Sequence, residues 1–137
     1  MRVADLMETN LRTISTESTI GEVVQQLADR NVSGLPVIDP AGRFVGVVSS
    51  SDVLEVEAAA GPGRERETLF ESTTAKEIMT PRPLTIAPEE DVREAAQQML
   101  YAEVRRIFAE AEGQLVGVIS QSDIVRAVAQ GAIPAGT

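Results

Sequence analysis

The chain has 137 residues, 43% of them hydrophobic and 24% charged, a composition that suits one compact domain or two half-domains sharing a core. Its formal net charge of −9 argues against a nucleic-acid surface, which relies on clustered Lys and Arg. With neither His nor Cys it cannot form a Ser-His-Asp or Cys-His catalytic group, and a zinc site would lack its usual ligands.

No apolar run approaches the roughly 18 residues that a bilayer span needs, and the opening Met-Arg-Val-Ala-Asp-Leu-Met-Glu has no signal-peptide apolar region. A cytoplasmic protein that avoids membranes is expected. Eleven of the twelve basic residues are Arg, whose rigid fork suits phosphate or carboxylate, so a small anionic ligand fits where a few of them converge. Neither G-x-x-x-x-G-K-[ST] nor G-x-G-x-x-G occurs, and no carboxylate pair stands out. The chain is expected not to be an enzyme.

In chain order, Leu11–Ile14 reads as a short β-type stretch. Thr19 with Glu22 three residues on is a helix start. The helix carries Ile20, Val23, Val24 and Leu27 at the i, i+3, i+4, i+7 spacing of one buried face. Strands follow at 35–38 and 44–48, joined by Asp39-Pro40-Ala41-Gly42, where Pro and Gly reverse the chain. A helix from about Ser51 to Ala60 stops at Gly61-Pro62-Gly63. The charged stretch 64–73 has little apolar pattern beyond Leu69 and Phe70 and reads as a linker.

The same order then returns. Leu84–Ile86 is β-type, Asp91 with Glu94 starts a helix, and Val92, Ala95, Ala96, Met99 and Leu100 form its core stripe. The stretch Ile107–Glu110 reads as a short strand or a sheet edge, because Glu110 stands where the first copy has an apolar residue. Leu115–Ile119 is a clear strand, a helix runs from about Ser122 to Gln130, and residues 131–137 should fray.

The chain is therefore written twice. Val3–Met7 answers Ala75–Met79, and Val45–Val53 answers Val116–Ile124, at an offset of 72 up to Leu35/Ile107 and of 71 from Gly42/Gly113 onward. The expected organisation is repeat 1 over residues 1–60, a linker over 61–72, repeat 2 over 73–130 and a flexible tail over 131–137. A unit of about 60 residues buries too little surface to be comfortably stable alone. The expected fold class is α/β, two β-α-β-β-α repeats packed sheet to sheet with pseudo-twofold symmetry, and with clefts at the seam.

The sharpest motif is Gly-x-x-Ser-x-x-Asp, present as Gly46, Ser49, Asp52 and again as Gly117, Ser120, Asp123. It falls where a strand ends and a helix starts, so unpaired N–H groups and a partial positive charge favour an anion there. The Asp carboxylate could also accept two hydrogen bonds from a cis-diol such as a ribose. The same Ser-x-x-Asp spacing makes an ordinary helix cap. A second signal is Val104-Arg105-Arg106-Ile107, where adjacent Arg could clamp phosphate; the first copy has uncharged Val32-Ser33-Gly34-Leu35 there.

Taken in order, the segments 31–39, 42–52, 102–107 and 113–123 resemble the CBS-domain family, whose domains come in pairs, the Bateman module, and bind adenosyl ligands as regulatory sensors. The resemblance covers about residues 1–58 and 73–130. It implies one ligand site from Met7, Arg12, Val32 and Gly34 with Arg105, Arg106, Val118, Ser120, Ser122 and Asp123. It implies a mirror site from Met79, Leu84, Val104 and Arg106 with Val47, Ser49, Ser51 and Asp52. A phosphorylated ligand would prefer the first site, which has the basic pair. The implied ligand is AMP, ADP, ATP or S-adenosylmethionine, with no cofactor required, and the implied partners are a second copy in a homodimer and a separate regulated protein. The alternative is a ligand-independent dimerisation or interaction module with decayed sites, favoured by Phe108-Ala109-Glu110 where the first copy has Pro36-Val37-Ile38.

Overall fold

The computed structural model describes residues 1–30, 32 and 34–133; Ser33 and residues 134–137 of the expected tail lie outside them. The elements in order are α1 (Val3–Leu6), β1 (Ile14–Ser15), α2 (Ile20–Arg30), β2 (Gly34–Ile38), β3 (Phe44–Ser49), α3 (Ser50–Ala59) and α4 (Arg64–Ser72). The second half supplies α5 (Ala75–Ile78), β4 (Thr80–Pro81), β5 (Thr85–Ile86), α6 (Val92–Ala102), β6 (Arg106–Ala111), β7 (Gln114–Ser120) and α7 (Gln121–Ala129). Apart from α4 and the two-residue β4, each half thus runs β-α-β-β-α after one helical turn.

Contacts divide the chain across the repeats. One compact unit joins Met1–Leu11 to the chain from Leu84 onward, and the other is Arg12–Pro83. Each unit combines the leading segment of one repeat with the body of the other. In the Arg12–Pro83 unit the sheet order is β1-β2-β3-β4, with β1 parallel to β2 and the other pairs antiparallel. Its edge strand β4 puts Thr80 opposite Val47 and Pro81 opposite Gly46. In the other unit the sheet is β5-β6-β7, and Glu8 makes the matching bridge to Val118, exchanging N–H···O bonds of 2.8 and 3.0 Å.

The cores follow the same exchange. Ile14, Val23, Leu27, Leu35, Val37 and Val48 close over Ala75, with Ile78 and Met79 against them. Ile86, Val92, Ala95, Met99, Ile107 and Ile119 close over Val3, with Leu6 and Met7 against them. Apolar burial supplies about 25 cal/mol per Å², so the leading segments are integral to the cores they enter. The short turns are closed from their third residue: Asp5 Oδ2 accepts the Arg2 N–H at 2.9 Å and Glu77 Oε2 accepts the Thr74 N–H at 2.7 Å.

Helix α2 starts as expected, with Thr19 Oγ1 accepting the Glu22 N–H at 3.2 Å. In α6 the cap is Asp91, which accepts the Arg93 N–H at 2.8 Å, while Glu94 accepts instead from Gln98 Nε2 at 3.1 Å. Four sequence expectations change. Leu100 is 72% exposed rather than core, because it follows buried Met99 by one residue and so turns about 100° away from the stripe. The stretch at 107–110 is the middle strand of its sheet, six residues long. Ile107, Phe108 and Ala109 are buried in succession, and a bulge after Ala109 places half-buried Glu110 near the hairpin tip. The expected linker contains helix α4, which packs on α2 and is held to α3 by Arg66 Nε donating to both Glu57 oxygens at 2.8 and 2.9 Å. Finally, the tail does not fray at its start: Ala132 N–H donates to the Ala127 carbonyl at 2.9 Å and Ile133 is buried in the core.

Candidate functional site

Each Gly-x-x-Ser-x-x-Asp motif spans a strand end and the first helical turn. Ser49 is the N-cap of α3 and Asp52 its third residue; Ser120 and Asp123 hold the same places in α7. Asp52 Oδ2 accepts from the Ser49 N–H at 2.7 Å and from its hydroxyl at 2.9 Å, and the Asp52 N–H donates to Ser49 Oγ at 3.3 Å. In the second repeat the Ser120 N–H donates to Asp123 Oδ2 at 2.9 Å and the Asp123 N–H to Ser120 Oγ at 3.1 Å. Both motifs are therefore capping boxes, and the caps engage one oxygen of each carboxylate. The other oxygens differ. Asp123 Oδ1 accepts from Arg126 Nη1 at 3.3 Å, whereas Asp52 Oδ1 has no partner among the described residues. Ser51 and Ser122 are exposed on the first turns between cap and carboxylate.

The glycines serve close approach, and what approaches is the exchanged segment. A Cβ on Gly117 would lie 2.5 Å from Met7 Sδ and 3.1 Å from the Glu8 carbonyl oxygen. On Gly46 it would lie 2.5 Å from Met79 Sδ and 2.9 Å from the Thr80 oxygen. The thioether is soft enough to fill such a gap, and the result carries Met7 beside Val118 and Met79 beside Val47.

Cross-strand partners share a sheet face, and this assembles the rest. Arg106 pairs with Ser120 and Phe108 with Val118, so these four lie on one face of the β6–β7 hairpin. The Arg106 guanidinium sits 5.6 Å from the Phe108 ring centroid, a cation–π distance. Exposed Arg105 is fixed through its backbone, its carbonyl accepting the Gln121 N–H at 2.9 Å, while Gln121 Nε2 donates to the Val104 carbonyl at 3.1 Å. The first repeat places Gly34 opposite Ser49 and Pro36 opposite Val47. Guanidinium and ring are thus replaced by residues without charge.

Of the residues expected in the first site, one unit brings together Met7, Arg105, Arg106, Val118, Ser120, Ser122 and Asp123. Arg12, Val32 and Gly34 belong to the other unit, Arg12 and Val32 exposed and Gly34 buried. Of the mirror set, Met79, Val47, Ser49, Ser51 and Asp52 share a unit, while Leu84, Val104 and Arg106 belong to the other. Sequence reasoning did not give Phe108 or Arg126 a place here. The i, i+3 spacing of Arg126 from Asp123 was the signal available. Among the described residues no cluster of acidic side chains could hold a metal ion.

The CBS domain family matches residues 3–59 and 75–130 of this chain. The chloroplastic CBS domain-containing protein CBSX1 of Arabidopsis thaliana is 28% identical over 142 residues, covering 88% of this chain and 60% of its own length. The chain spans the same share of the related CBSX2. An inosine-5'-monophosphate dehydrogenase of Korarchaeum cryptofilum is 31% identical over 114 residues, but these are 82% of this chain and 21% of that enzyme. Among solved structures, CBSX2 in complex with AMP has a TM-score of 0.78 at 29% identity, covering 96% of this chain and 98% of that one. The CBS domain of a membrane protein from Sphaerobacter thermophilus has a TM-score of 0.74 at 26% identity, covering 92% of this chain and 86% of that one. No described helix of the present chain is long and apolar enough to cross a membrane.

Proposed function

The chain belongs to the CBS domain family, and from that premise we propose that it is a regulatory module that binds an adenine nucleotide or other adenosyl ligand without turning it over. The observation that carries this reading is the gathering, within one unit, of Ser120, Asp123, Arg105, Arg106, Val118 and Met7 at one strand-to-helix turn. Asp123 reads the ribose diol, the α7 N-terminus and the two Arg attract phosphate, and half-buried Val118 and Met7 offer apolar surface to the base. The AMP complex of CBSX2, 29% identical, supports an adenosyl ligand. Met79, Val47, Ser49, Ser51 and Asp52 form the corresponding weaker half-site.

The module acts in the cytoplasm by favouring one of two states of a separate protein, for which differential ligand affinity is the only lever. It works as a homodimer. Leu54, Leu100 and Val125 are 65%, 72% and 66% exposed, and they rim apolar grooves along the α2/α3 and α6/α7 helix pairs that a second copy would cover.

Thermal unfolding with AMP, ADP, ATP, S-adenosylmethionine and GTP tests the reading. A ligand at about a hundred times its dissociation constant adds roughly 2.7 kcal/mol, so adenosyl compounds but not GTP should raise Tm by several degrees. The second reading, an interaction module without ligand, is favoured by the capping boxes that already engage both Asp side chains. A flat response across the panel would establish it in place of the first.

A further inference from the structure

The duplicated turns differ in charge at one further position, and that difference has a geometric consequence. Three residues after Asp123 stands Arg126, its Nη1 3.3 Å from Asp123 Oδ1. Three residues after Asp52, at the matching place in α3, stands Glu55, so the first repeat has a second carboxylate where the other has a guanidinium. Arg126 is ion-paired with Asp123, and Arg106 pairs across the strands with Ser120, the cap residue of the same turn. Around Asp52 are Glu55, buried Gly34 and half-buried Val47, with no ion pair on either acid among the described residues. One turn thus pairs its carboxylate with a cation three residues on, and its twin sets a second carboxylate at that place.

We propose that the residue three places after the motif Asp sorts ligands between the two turns: Arg126 selects a phosphorylated adenosyl ligand, and Glu55 refuses phosphate, leaving its turn to a neutral or cationic one. This rests on the adenosyl reading above and adds the discriminating residue and the ligand class of the second site. Arg126 holds the Asp123 carboxylate, whose other oxygen is fixed by the cap, in a single orientation. When a ribose diol takes Asp123 Oδ1, the Arg126 guanidinium is released beside a sugar that carries the phosphate. It is 61% exposed, so its reorientation meets little packing. Phosphate near Asp52 and Glu55 would meet two like charges at close range, where repulsion is least screened.

Calorimetric titration of the full chain with AMP and with adenosine tests this in wild type, Arg126→Glu, Arg126→Gln and Glu55→Arg. Wild type should prefer AMP. Both Arg126 variants should lower that preference about tenfold, the scale of one charge-assisted hydrogen bond, and leave adenosine affinity within a few-fold. Glu55→Arg should give AMP a second site of raised affinity. An unchanged AMP-to-adenosine ratio in both Arg126 variants would overturn the proposal while leaving the adenosyl reading intact. A parallel loss of both ligands would also overturn it, since Arg126 would then act only through Asp123. Binding of neither compound by wild type would remove the adenosyl reading and this inference with it. Melting curves of the empty variants identify any that fail to fold, and Arg126→Gln, which adds no charge, serves if Arg126→Glu does not.

Discussion

Gly117 and Met7 show how little room single residues have in this protein. The missing Cβ is replaced by a thioether from the other repeat's leading segment, and the Glu8 backbone lies just behind it. Gly117→Ala cannot be absorbed by rotating a side-chain tip alone, because the carbonyl oxygen at 3.1 Å belongs to the bridging residue. Overpacking of this kind costs about 1–3 kcal/mol. A urea midpoint lowered accordingly is expected, with part of the loss recovered when Met7→Ala is added. Strict additivity of the two substitutions would show that they do not share a contact.

The two hairpins are elements of equal role with different closures. In the first, Asp39 accepts from the Arg43 N–H at 2.8 Å, the Arg43 Nε at 2.9 Å and the Ala41 N–H at 3.0 Å. The Arg43 N–H is the chief cause that holds the Asp39 carboxyl below its ordinary value, with the guanidinium and the Ala41 N–H adding to it. In the second hairpin the residue deleted from the repeat leaves only Glu112 and Gly113 between strands. Both have positive φ, 54° and 81°, as a two-residue type I′ turn requires. The first turn should therefore respond to acid. A depressed folded pKa means that the Asp39 contribution is complete above the unfolded value, about 3.9, and is lost as pH falls through the lower folded value. Asp39→Asn should be less stable than wild type at neutral pH, and the gap should close in denaturant titrations carried down through that range. A gap independent of pH would refute a charge origin.

For the whole molecule, the exchange of leading segments predicts where the chain can be cut. A fragment of residues 12–83 keeps β1 to β4 and the Ala75, Ile78 and Met79 contacts. A fragment of residues 1–60 is one contiguous repeat, but it loses α5 and β4 and leaves Val3 without its core. Amide exchange should find β3 protected in the first fragment and open in the second, since domains of this size are marginal even when complete. Equal protection would mean that the exchanged strand adds nothing to the sheet.

Much of this was legible in the residues themselves. The repeat, the stripes of α2 and α6, the Thr19 start and the Ser-x-x-Asp turns are local patterns, set by contacts a few residues apart. The one-residue shift of α3 and α7 from their expected starts lies within the usual ambiguity of helix ends. The expectations that changed depend on distant partners. Glu110 looked like the mark of an edge until β5 and β7 took both sides of β6, and Leu69 and Phe70 looked too sparse for a helix until α2 and α3 received α4. Spacing could not decide which glycine each Met meets, because both repeats carry the same Met and the same Gly. Family resemblance pointed to the crossed arrangement; only the tertiary structure, through non-local strand pairing that duplicated sequences leave degenerate, set Met7 on Gly117 and Met79 on Gly46.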